Sequence, residues 1–277
     1  MNMNNSYLSQ TSAGAKKPIN PRNGFLFVFF IVLLFYFVPI LASAAGSDPA
    51  RLTDYLYLYT TTAYTIIVLS IIIFHKKGLD VFQDHFSLWI IVFGCLSAAS
   101  QGGVQDTVYK VFLVLLGLRL SIHIIVNRKN INVPDQKSVF SGLLWSVVTI
   151  VIIVLLLYFL SPVRASLPPN LSAYILSTFL YHVSFVTVIE EACFRGLVFS
   201  LLVLNGYRED RALIIQGILF WGVHYMQITA NPALFFIAVP ILTLSTTLIT
   251  KEYKMLYLPV IVHTLVNVFG PVLIAIL

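Results

Sequence analysis

Two adjacent glutamates, Glu190 and Glu191, lie well inside an apolar stretch. One charged side chain at the centre of a membrane helix costs about 2.5–3.5 kcal/mol on insertion scales, so two together call for partners. Arg195 follows Glu191 by one helical turn on the same face, and a Glu191–Arg195 pair offsets part of the cost. Glu190 is rotated about 100° from Glu191 on a helix and needs a partner from another segment. Two later segments supply candidates at one spacing. The first reads Phe220-Trp221-Gly222-Val223-His224; the second, His263-Thr264-Leu265-Val266-Asn267, puts His263 and Asn267 on one face a turn apart.

The chemistry these residues could do is hydrolysis. A carboxylate and an imidazole that share a water can remove its proton, making a nucleophile without a covalent intermediate. A second histidine and an asparagine can donate hydrogen bonds to the oxyanion of a tetrahedral intermediate. The competing reading is a polar knot that only fixes helix register; a Glu, two His and an Asn on three segments weigh against it, because intramembrane ionisable groups mark function by default. Other catalytic patterns fare worse. The sequence has no His-Glu-x-x-His and no Gly-x-Ser-x-Gly, and no Asp falls in a predicted span. Cys193 stands beside the acids, where a thiolate is disfavoured, and reads as a packing residue. Arg119 and His123 share a face near a span end, where Arg119 can snorkel. His182, about two turns before Glu190, is assigned to helix packing.

The elements that must position these groups are membrane helices. Of 277 residues, 58% are hydrophobic and 10% charged, against roughly a quarter charged in soluble domains. With a mean hydropathy of +0.90, that excludes disorder, nucleic-acid-binding tails and an ordinary water-covered surface. Apolar stretches at 24–45, 55–74, 86–104, 108–126, 139–160, 172–204, 211–228, 232–250 and 256–277 predict an all-α, polytopic transmembrane bundle of eight or nine spans. The third, with Gly94, Gly102 and Gly103, is the weakest and is expected to be short, bent or re-entrant; the sixth exceeds what a bilayer needs. Assigning the N-terminus to the cytoplasm puts twelve Lys and Arg in inside segments and three outside, so nine spans leave Leu277 outside.

The first 23 residues read as a flexible cytoplasmic tail. Ala42-Ser43-Ala44 resembles a signal-peptidase site, but the long apolar run before it reads as an uncleaved anchor. Cys95 and Cys193 form neither a disulfide framework nor a zinc ribbon. At about 1.5 Å per residue from the cytoplasmic ends, Glu190 lies roughly 22 Å deep, His224 roughly 20 Å, Asn267 roughly 18 Å and His263 roughly 12 Å, a common layer.

The ordered set Glu190-Glu191-Ala192-Cys193-Phe194-Arg195-Gly196, Phe220-x-x-x-His224 and His263-x-x-x-Asn267 resembles the motifs of the CAAX protease and bacteriocin-processing (CPBP) family. That family of intramembrane endopeptidases includes the eukaryotic CAAX prenyl endopeptidase and many bacterial Abi proteins. The resemblance covers roughly 172–277, a catalytic helical core; 24–160, about five helices, matches only in being apolar. It implies a peptidase that cuts a membrane-associated protein or peptide, as in CAAX-type processing or leader or C-terminal tail cleavage. By it, Glu190 activates water with His224, His263 and Asn267 stabilise the oxyanion, and Glu191 and Arg195 support the site.

The family is often labelled metalloprotease, which makes Glu190, His224 and His263 the candidate zinc ligands. With Glu191 committed to Arg195, a metal-free site explains the asparagine more directly and is favoured. The expected partners are the lipid bilayer and a membrane-held substrate, with no nucleic acid, and the expected location is the plasma membrane of a bacterium. Two other readings predict different behaviour: a proton-coupled transporter with Glu190 and Glu191 as relay, for which no internal repeat is evident, and a catalytically idle scaffold or immunity protein on the same fold.

Overall fold

Long runs of Leu, Ile, Val and Phe become helices in lipid because every backbone N–H and C=O needs a partner within its own segment. The computed structural model describes residues 26–36, 40, 49–74, 79–101, 106–131, 135–160 and 167–276. The expected tail 1–23 and the Ala42-Ser43-Ala44 site lie outside the described residues. Among those described, the chain is helical with no β-strand. The helices are α1 (Leu26–Tyr36), α2 (Pro49–Phe74), α3 (His85–Ser100), α4 (Thr107–Val126), α5 (Gln136–Leu160), α6 (171–204), α7 (Glu209–Val223), α8 (Gln227–Ala230), α9 (Leu234–Tyr253) and α10 (Tyr257–Ile276). Five segments are long and apolar enough to cross a membrane: Thr53–Phe74, Thr107–Val126, Gln136–Leu160, Leu234–Tyr253 and Tyr257–Ile276.

Polar residues in the loops start the helices. Asp84 accepts from the Ser87 amide at 2.7 Å to cap α3, and Asn170 accepts from the Ala173 amide at 3.0 Å to cap α6. Burial pushes the Asp84 carboxyl above the usual carboxylate range, and its bonds from Ser87 hold it back. Ser87 serves a second helix as well: its hydroxyl donates to Asp84 and accepts from the backbone amides of Leu256 and Tyr257 at 2.8 and 3.1 Å. Those amides open α10 and would otherwise lack partners. The end of α10 nearest His263 is thereby fixed to the start of α3.

Two apolar cores flank the polar layer. One gathers Tyr64, Ile67, Leu88, Ile91, Leu113 and Leu120 from α2, α3 and α4 with Val188, Phe194 and Phe220. The other gathers Ile153 and Leu157 of α5, Leu242 and Ile249 of α9, and Leu258 and Val262 of α10. Gly142 lets α5 and α10 approach closely, since a Cβ there would stand 2.1 Å from a Leu258 methyl. Outward, Val108, Val126, Phe140 and Phe159 are each more than 70% exposed, which suits a lipid-facing surface and not a water-facing one.

Two segments depart from straight spans. α6 is one helical run interrupted by two π turns, His182–Val186 and Ala192–Val198. α7 was expected to run through 211–228 but ends at Val223, with turns over 224–226 before the short α8. Gly222 and the Asn231-Pro232 pair leave that stretch little helical support, and broken backbone at membrane depth is tolerated where it lines a cavity.

Candidate active site

The site begins with the π turns of α6. A π turn widens the helix by one residue and loosens backbone carbonyls, and both need compensation. The compensation comes from neighbours: Tyr64 donates its hydroxyl to the Ser184 carbonyl at 3.0 Å, and the Gln101 amide donates to the Leu180 carbonyl at 3.2 Å and to the Ser184 hydroxyl at 2.6 Å. Ser184 in turn donates to Ser97 at 2.8 Å. On the other side Thr187 shares a 2.8 Å hydrogen bond with Thr264, joining α6 to α10 one residue after His263. Glu190 and Glu191 lie between the two turns, on the short regular stretch Thr187–Glu191.

Glu191 and Arg195 are fully buried and form the expected i,i+4 ion pair, Arg195 Nε to Glu191 Oε2 at 3.2 Å. Arg195 also donates from Nη2 to the Thr246 hydroxyl of α9 at 2.5 Å, and its guanidinium lies 3.8 Å above the Phe220 ring. Glu191 is not committed to Arg195 alone. Its other oxygen, Oε1, accepts from His263 Nδ1 at 2.8 Å, so one carboxylate joins the arginine of α6 to the histidine of α10. A buried pair gains little net stability, but removing one partner leaves a charge in a dry interior and costs about 3–5 kcal/mol.

Glu190 points the other way. Its Oε2 stands 3.8 Å from His224 Nε2 and 3.8 Å from His263 Nε2, beyond direct hydrogen-bond reach of either. His224 sits at the broken end of α7, where Nδ1 lies 2.8 Å from the Phe220 carbonyl. A carbonyl only accepts, so Nδ1 carries a proton, and in the neutral ring Nε2 faces Glu190 as an acceptor. The Phe220 ring packs on His224 at 4.7 Å, edge-to-face on His263 at 5.9 Å, and under Arg195. That one residue therefore orients three polar side chains, and sequence reasoning gave it no role.

A cavity of about 530 Å³ opens onto this group, lined by His182, Glu190, His224, His263 and Asn267 and walled by apolar residues of α5, α9 and α10. The four residues Glu190, His224, His263 and Asn267 thus line one cavity, with Glu191 and Arg195 buried behind them. Asn267 is 3.2 Å from His182 Nδ1, so the histidine assigned to packing faces the cavity instead. Gln227 and Asn231, also unforeseen, line it from α8 and the turn after it; Gln227 was hidden inside 211–228, read as one uninterrupted span, and Asn231 in the loop after it. Among the described residues no group of three or more His, Cys, Asp or Glu is arranged to hold a metal ion.

Residues 144–269 match the family model of the Rce1-like type II CAAX prenyl endopeptidases, consistent with the CAAX protease family. No curated protein and no solved structure matches the chain significantly. The match spans the site from α5 to Asn267 and supports a protease, and with the apolar helices it marks an integral membrane protein.

Proposed function

We propose that this chain is an intramembrane endopeptidase that hydrolyses a peptide bond of a membrane-held protein or peptide with water activated by Glu190 and His224. The observation that carries the reading is the convergence of Glu190 Oε2 and His224 Nε2 at 3.8 Å on a cavity large enough for a peptide segment. Two acceptors at that separation can share one water, each taking a hydrogen bond from it. As the water attacks the scissile carbonyl carbon, Glu190 takes its proton and later passes it to the leaving amine. His263 and Asn267 face the developing oxyanion. In that role His263 carries a proton on each nitrogen, Nδ1–H held by Glu191 and Nε2–H toward the cavity. The charges of Glu190, Glu191, Arg195 and His263 then sum to zero, which a buried cluster requires.

Among the described residues no group of three is arranged to hold a metal, and with water activated by Glu190 and His224 cleavage by purified protein is expected to survive strong chelation. Eight or nine crossings in the plasma membrane of a bacterium, with the N-terminus cytoplasmic, complete the reading; the cavity-lining Gln227, Asn231, Pro271 and Ile274 then fall toward the outer face. The apolar cavity wall suits a substrate that arrives from lipid, such as a prenylated C-terminus, a leader or a sorting tail. Mass spectrometry of membrane proteins from cells carrying the wild-type or the Glu190→Gln protein tests it. Termini present only with the wild type are expected; identical termini in both would overturn the assignment.

A further inference from the structure

Eight residues of regular helix turn through about 800°, which would leave His182 about 80° round from Glu190. The π turn over His182–Val186 absorbs one residue of that advance and brings the two onto nearly the same face, two turns apart, where both line the cavity. His182 is fixed there twice. Its backbone carbonyl accepts from Thr187 at 3.1 Å, and Thr187 is bonded to Thr264 of α10. Its ring reaches α10 directly, Nδ1 to the Asn267 amide nitrogen at 3.2 Å.

That contact bears on a specific weakness of asparagine as an oxyanion donor. A carboxamide presents an acceptor as readily as a donor, and the two ends differ little in shape. An unrestrained amide that turned its oxygen toward a developing oxyanion would repel it. Among the described residues the one hydrogen bond of the Asn267 side chain runs from its amide nitrogen to His182 Nδ1. With the His182 proton on Nε2, the Nδ1 lone pair accepts one Asn267 N–H, which fixes the amide and leaves its second N–H free for the cavity.

We propose that His182 is a positioning residue for hydrolysis, orienting the Asn267 carboxamide so that it donates to the oxyanion. The role rests on the protease reading above. Oxyanion stabilisation acts in the transition state, so loss of orientation lowers kcat and leaves KM nearly unchanged. The test uses full-length purified protein and a synthetic peptide spanning a terminus whose formation in cells depends on Glu190. His182→Leu is expected to lower kcat about 10–100-fold with KM within about threefold. His182→Asn, whose side-chain oxygen sits close to the place of Nδ1 and also accepts, is expected to stay within about fivefold of wild type.

The decisive comparison is made on Asn267→Ala. If His182 acts through Asn267, adding His182→Leu there costs no further activity, whereas a packing role gives multiplied losses. Multiplied losses, an unimpaired His182→Leu, or a His182→Asn as slow as His182→Leu with the folded yield of wild type would each overturn the proposal while leaving Glu190 in place. If no terminus depends on Glu190, the protease reading fails and this role falls with it.

Discussion

The buried Glu191 is the residue on which the site's electrostatics turn, because its two oxygens serve different helices: Oε2 pairs with Arg195 and Oε1 with His263. Glu191→Ala therefore leaves a guanidinium with only Thr246 and the Phe220 face as partners. Thermal unfolding in detergent is expected to show a loss of about 3–5 kcal/mol for Glu191→Ala and a smaller loss for Glu191→Leu combined with Arg195→Met, which removes both charges. Equal losses would show that the pair is not what holds this part of the interior together. The pair itself was legible in the sequence, since four-residue spacing on a helix is local. The Glu191–His263 contact spans 72 residues and was not, because one-dimensional spacing carries no information on which helix a second carboxylate oxygen meets.

Among the elements, α6 determines what the others can do. Four-residue spacing paired Glu191 with Arg195, as found, whereas His182 was assigned to packing and the π turn rotates it toward the cavity. No apolar pattern announces a π turn; it persists because Tyr64 and Gln101 catch the carbonyls around it. Gly94 on α3 makes the Tyr64 contact possible, as a Cβ there would stand 2.2 Å from the Tyr64 hydroxyl oxygen. Gly94→Ala is expected to destabilise the protein by about 1–3 kcal/mol through this overlap, and adding Tyr64→Phe to recover part of the loss. Thermal unfolding reads both, and a double variant no more stable than Gly94→Ala alone would contradict the clamp. The early end of α7 was hidden for a related reason. Met226 and Ile228 carry the apolar pattern past Val223, and it is the turn at His224 that lets Nε2 face Glu190.

For the whole molecule, hydropathy made the fold class plain, and five of the segments it marked are long, apolar helices. The proposed orientation goes further than hydropathy, since it rests on where Lys and Arg fall. It is checked by single cysteines: Cys95 and Cys193 are buried, so an impermeant thiol reagent applied to intact cells should report only the introduced residue. Pro169→Cys is expected to label from outside and Glu252→Cys only after the membrane is opened; the reverse pattern would invert the topology and put the cavity mouth on the other side. Within that bundle, the proposed reaction depends on Glu190 activating water in a cavity shared by α6, α7 and α10. The most direct measurement is cleavage of a Glu190-dependent peptide by purified protein in liposomes, comparing wild type with Glu190→Gln at equal folded yield. The predicted result is a loss of about 10²–10⁴-fold in kcat, the range for a general base. A Glu190→Gln protein that cleaves as fast as wild type would contradict it.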